Sequence, residues 1–170
     1  MARAAVALGL VIVALTLQVG LFAQLSISGV VPNLALLVVI GAAIVRGPQY
    51  ATILGFVAGL LVDLAPPADH VAGRWALAFV VAGYLAGLVR RDAEESAVAA
   101  VATVAGCSFV ATSVFALSGL LLGDDGVTVA RVFTVVPLAV LYDVILAPLV
   151  MPLVIAAFRK LDPRPLEAVR

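Results

Sequence analysis

Two carboxylates lie where an apolar chain can least accommodate them. Asp63 falls in Gly59-Leu60-Leu61-Val62-Asp63-Leu64 and Asp143 in Val140-Leu141-Tyr142-Asp143-Val144, each inside a long apolar run. An acidic side chain at the centre of a membrane helix costs about 2.5 to 3.5 kcal/mol on the insertion scale, so it needs a compensating role. Two roles are open. In one, the carboxylates relay protons or cations, or touch a substrate. In the other, each carboxyl group holds a neighbouring helix by hydrogen bonds, and for Asp63 simple reach to the outer interface belongs to the same reading. An ion pathway needs basic or further polar groups at the same depth, and the runs hold few. Those present are Gln18, Thr103, Ser108, Thr112, Ser113 and Ser118, all of which suit helix-to-helix hydrogen bonds.

Other chemistry has less to build on. No nucleophile–base arrangement and no glycine-rich phosphate loop after a strand is present, so an enzyme is not expected. One histidine and one cysteine fall short of the three or four ligands, roughly, of a zinc site, and no cofactor is expected. Cys107, in an apolar run, reads as a buried inert thiol. His70, beside Pro66-Pro67 and Asp69, reads as a solvated loop histidine.

The elements that must position these residues are membrane helices. Hydrophobic residues make up 65% of the 170-residue chain and charged ones 12%, against about 25% charged in soluble domains. The net charge is zero, and no basic stripe points to nucleic acid. Six apolar runs are expected to span: Ala4–Ala23, Val31–Val45, Tyr50–Leu64, Trp75–Val89, Ala97–Leu122 and Val132–Phe158. The first exceeds the ~7–15 residues of a signal-peptide core, so a retained helix is expected. Val31–Val45 is short for a bilayer and must thin it or lie partly inside the protein. The last contains Pro137, Pro148 and Pro152 and could form two pieces.

Charge placement tests the count. With the N-terminus inside, Arg3, Arg46, Arg90, Arg91, Arg159, Lys160, Arg164 and Arg170 are cytoplasmic, and only Arg74 and Arg131 are outside. That bias follows the positive-inside rule and gives six helices with both termini inside. The chain is then a single all-α transmembrane domain over 1–170. GxxxG spacing at Gly55/Gly59, Gly83/Gly87 and Gly119/Gly123 predicts close packing between helices of the one chain rather than dimerisation. The stretch from Arg90 to Glu95 reads as a solvated turn.

Several motifs carry a family likeness. Arg46-Gly47-Pro48, followed by Gly55-Phe56-Val57-Ala58-Gly59-Leu60-Leu61-Val62-Asp63-Leu64, resembles the Arg-Gly-Pro turn and GFxxGLxxD helix of the rod shape-determining protein MreD family. Pro32-Asn33-Leu34 looks like that family's Pro-Asp-Leu start of the second helix, with Asn33 in place of the acid. Ala76-Leu77 and Gly83-Tyr84-Leu85-Ala86-Gly87 look like its next helix, although Gly73-Arg74-Trp75 departs from a smoother Leu- and Gly-rich stretch. Gln18 falls where the first helix often carries a polar residue.

The resemblance implies a non-enzymatic scaffold of the cell-elongation and peptidoglycan-synthesis machinery in the bacterial cytoplasmic membrane. Implied partners are the bitopic MreC, the actin-like MreB filament and the lateral-wall synthases, besides membrane lipids. It also implies a fold similar to the substrate-binding components of energy-coupling-factor vitamin transporters. In that setting Gly55, Phe56, Gly59, Asp63, Asp143, Gln18 and Asn33 are the candidates for a pocket or a partner-binding helix face. A small-molecule transporter component is the alternative. The short outer loops offer little of the polar and aromatic lining that a vitamin pocket needs, which favours the scaffold.

Overall fold

The computed structural model describes residues 2–66, 70–124 and 126–161; Asp69, Arg164 and Arg170 lie outside them. Helix α1 (Ala2–Gly20) is followed by a 3-10 turn (Phe22–Leu25) and a tight turn through Ser28 and Gly29, closed by pairing of Ile27 with Val30. Then come α2 (Leu34–Arg46), α3 (Pro48–Leu64), α4 (Arg74–Leu88), α5 (Arg90–Glu95), α6 (Ala97–Leu122) and α7 (Val129–Leu161). Three segments are long and apolar enough to cross a membrane: Ala4–Gln24, Ala97–Leu122 and Val129–Lys160. Helices α2, α3 and α4 are apolar but shorter, at 13, 17 and 15 residues.

The shortest of these is the centre of the protein. Every residue of α2 from Leu34 to Ile44 is buried. It is apolar all round, as expected of a helix enclosed by others. Of the two options left open for the second run, lying inside the protein is the one observed. The outer helices show the opposite pattern. On α7, Leu141, Ile145, Leu149 and Leu153 form an exposed stripe at helical spacing, while Asp143, Ala147, Met151 and Val154 face inward.

The charged stretch Arg90–Glu95 is a short helical turn that buries Ala93 while Arg91, Asp92, Glu94 and Glu95 are exposed, as expected of a solvated turn. The last run is one continuous helix through Pro137, Pro148 and Pro152. Prolines are tolerated in membrane helices where neighbours support the interrupted ladder.

Helices α3 and α4 pack antiparallel through two of the three GxxxG pairs. A Cβ on Gly55 would lie 2.6 Å from the Phe79 carbonyl oxygen, and one on Gly83 would lie 2.8 Å from that of Ala51. Added carbons at Gly59 and Gly87 would run into the backbones of Trp75–Ala76 and Pro48. The third pair works otherwise: Gly119 makes room for the Arg74 guanidinium, and Gly123 takes the left-handed conformation that ends α6 (φ 69°). Basic residues collect at one end of the bundle. There the Arg90 guanidinium lies beside Gly47, and Arg46 stacks over the rings of Tyr50 and Phe158 at 4.5 and 5.4 Å.

Gly59→Ala is expected to destabilise the protein by about 1–3 kcal/mol through overpacking. Gly106→Ala, where an added carbon meets nothing within 4 Å, should be neutral or gain up to ~1 kcal/mol from helix propensity. Thermal unfolding in detergent reads the difference; equal shifts would show that α3 and α4 do not approach this closely.

Candidate functional site

The end of the bundle opposite the basic cluster holds the buried polar groups, and helix length explains why. At 1.5 Å per residue, α2 and α4 reach only about 20 Å of a hydrocarbon core about 30 Å thick. Helices this short cannot reach both faces of such a core, and the first four N–H groups of each have no carbonyl partner within the helix.

Asp143 meets this need for α2. One of its oxygens accepts the Asn33 N–H at 2.7 Å and the other accepts the Ser108 hydroxyl at 2.6 Å. Asn33 itself caps the helix, its side-chain oxygen accepting from Leu36 N–H at 3.1 Å. Gln18 on α1 accepts the Ala35 N–H at 3.3 Å. Pro32, just upstream, has no N–H to satisfy. Asp143 is 1% exposed and belongs to α7, so α1, α6 and α7 are all tied to the first turn of α2.

Asp63 does the same for α4. Its two oxygens accept the N–H groups of Gly73 (2.8 Å), Trp75 (3.0 Å) and Ala76 (3.1 Å). The fourth partner is His70 Nε2 at 3.0 Å. With three backbone donors in place, His70 completes the set as an N–H donor. A carboxylate beside a helix N-terminus is also favoured by the helix dipole. Gly73 precedes the helix in a left-handed conformation (φ 100°) that glycine adopts without strain. His70 is therefore not a solvated loop residue: its side chain is 15% exposed, and its ring stands edge-on to Phe115.

Sequence reasoning missed the companion of this cap. Arg74, the first residue of α4, is 3% exposed. Its guanidinium donates to Asp124, to the Phe115 carbonyl at 2.8 Å and to Ser118 Oγ at 3.3 Å. It also lies 4.0 Å over the Phe115 ring, which stacks on Trp75. This clasp joins the start of α4 to the end of α6. The signals available were one of only two arginines on the arginine-poor side, directly before Trp75, and a carboxylate at Asp124. The Arg74 guanidinium, by its hydrogen bond, holds the Asp124 carboxyl below the usual range.

A cavity of about 550 Å³ opens beside the two caps, lined in part by Gln18, Asn33, His70, Trp75 and Phe115. Its aromatic and polar lining combines helix residues such as Gln18, Trp75 and Phe115 with loop residues such as Ser26, His70 and Asp124, which corrects the expectation that short loops would leave it bare. Of the candidates named from sequence, only Gln18 and Asn33 line it. Gly55 and Gly59 are used in packing against α4, and Asp63 and Asp143 are capped behind the wall. Phe56 lies apart, 53% exposed on the outside of α3. Cys107 is buried, its Sγ 3.5 Å from the Ala82 carbonyl.

The fold and these caps define a helical integral membrane protein whose embedded carboxyl groups secure helix starts. Residues 2–161 match the family model of the rod shape-determining protein MreD, and the chain belongs to that family. Searches among curated proteins and among solved structures each found no match.

The two carboxyl groups differ in what amide replacement can reproduce. In Asp143→Asn, the carbonyl can accept from Asn33 while the NH₂ donates to a rotated Ser108 hydroxyl. In Asp63→Asn, an NH₂ must face backbone donors. Asp63→Asn is expected to cost about 2–4 kcal/mol and Asp143→Asn under about 1.5 kcal/mol; equal losses in thermal unfolding would contradict the hydrogen-bond assignment. A second expectation follows from the depressed Asp124. Its pairing stabilises the fold above the ordinary aspartate range near pH 4 and is lost as pH falls through the lower folded-state value. Acid melting curves of Asp124→Asn should lack that component, and curves that parallel the parent's would refute it.

Proposed function

We propose that this protein is a non-enzymatic membrane scaffold of the bacterial cell-elongation machinery. It spans the cytoplasmic membrane six times with both termini inside, and α2, α3 and α4 cross within the shelter of the longer helices. The family match over residues 2–161 carries this reading. The capping roles of Asp63 and Asp143 support it, since every oxygen of both carboxyl groups is engaged by helix-start donors or by Ser108 and His70. The basic end, with Arg46, Arg90 and Arg159, would face the cytoplasm by the positive-inside rule. A likeness to the substrate-binding components of energy-coupling-factor transporters belongs to the same proposal.

The partners proposed are an MreC-like bitopic protein in direct contact, with an MreB-like filament and lateral-wall synthases in the same assembly. Among Gly55, Phe56, Gly59 and Asp63, only Phe56 is exposed. It is the residue through which that helix would present an anchor, since interface energy concentrates in large, often aromatic side chains. Recovery of a stoichiometric bitopic partner with the tagged protein tests the scaffold. Phe56→Ala should reduce that recovery at least about tenfold with the melting temperature unchanged. Full recovery would remove Phe56 from the interface. A retained small molecule with no membrane partner would favour a transporter component instead, a second reading that rests on the cavity.

A further inference from the structure

The cavity floor carries two hydrogen-bond donors that the caps leave over. Gln18 and Asn33 are each 8% exposed and both line the cavity. Their orientations are fixed by the backbone. The Ala35 N–H requires the carbonyl oxygen of Gln18, and the Leu36 N–H requires that of Asn33. Each amide NH₂ must then point the other way. Neither NH₂ has a hydrogen-bond partner among the described residues. The two side chains cap successive residues of one helix turn, and both line the cavity. Both donors reach the open space of the cavity, where the acceptor atoms of a bound molecule can meet them.

The rest of the lining defines the remainder of such a molecule. Trp75 and Phe115, stacked on each other at 4.2 Å, both border the cavity and make one side of it aromatic. Apolar positions of α1 and α7, Leu15 and Val135 among them, close the other sides. Arg131, exposed, also lines the cavity, with one guanidinium nitrogen 3.3 Å from the Gly126 carbonyl. Asp124, the acid in the lining, is taken up by Arg74. The volume lies within the range of roughly 300–1,000 Å³ that holds drug-sized ligands.

We propose that this cavity binds a drug-sized carboxylate or carbonyl compound with an apolar body. Its acceptor oxygens meet the NH₂ groups of Gln18 and Asn33, and its body lies against the Trp75–Phe115 wall. The site is a further function of the chain, independent of the scaffold reading. The acceptor can belong to a water-soluble organic acid or to an acyl chain from the membrane.

Trp75 is the sole tryptophan of the sequence, so its fluorescence reports this cavity alone. Two heavy-atom carboxylates serve as probes: 4-iodobenzoate for the soluble source and dibromostearate for the acyl source. The purified protein in detergent is titrated with each. The proposal expects saturable quenching by at least one of them, and the one that saturates identifies the source. Gln18→Glu keeps an acceptor for Ala35 but removes the donor, and should weaken binding at least about tenfold. Val135→Phe fills the cavity and should abolish saturation. Melting temperatures confirm that the variants fold, and Asn33→Asp, which also keeps its cap, replaces Gln18→Glu if that variant does not. Quenching that stays linear with both probes, or saturates equally in the parent and the folded variants, overturns the proposal.

Discussion

A helix that begins inside a bilayer exposes three or four N–H groups to a medium that cannot hydrogen-bond them, and the architecture of this protein answers that problem twice. Each unsatisfied group costs several kcal/mol at membrane depth. Asp143, Gln18 and Asn33 satisfy the start of α2, and Asp63 satisfies three amides at the start of α4. The acids that looked anomalous in the sequence are thus matched to donors at the starts of two short helices, α2 and α4. Burying a carboxyl group is tolerable when hydrogen bonds to a helix N-terminus compensate it.

Packing and capping reinforce one another. The glycines of α3 and α4 let the two backbones touch, and this brings the last turn of α3 against the first turn of α4. Only at that separation can Asp63 reach Gly73, Trp75 and Ala76 at once. Arg74 then clamps the same turn to α6 through Asp124, Ser118 and Phe115. A positive charge at a helix start opposes the dipole, and Asp124 offsets it. The result is one end built from buried polar contacts and another that gathers the basic residues around α2 and α5.

Much of this was legible in the sequence, because the bilayer imposes simple rules. The apolar runs coincide with helices, the shortness of Val31–Val45 left thinning of the bilayer or enclosure as its two outcomes, and GxxxG spacing pointed to close packing within the chain without saying between which helices. The alternatives for Asp63 and Asp143 already included hydrogen bonding to a neighbouring helix. What could not be read was which donors they meet, since Asn33 and Asp143 are 110 positions apart and no local pattern links them. His70 was misplaced for the same reason: loop composition predicts solvent, while its docking depends on where Phe115 and Asp63 stand in space. The charged residues of the Arg90–Glu95 turn are exposed as their composition implies, while the burial of Ala93 depends on what packs against it.

The central claim is that Asp63 holds the first turn of α4 by accepting its amide protons. Amide hydrogen exchange on the protein in lipid nanodiscs tests it directly, comparing the parent chain with Asp63→Asn. Gly73, Trp75 and Ala76 should exchange slowly in the parent and at least about tenfold faster in the variant, while Asn33, Ala35 and Leu36 remain slow in both. Unchanged exchange at Gly73–Ala76, or equal acceleration at both helix starts, would contradict the account.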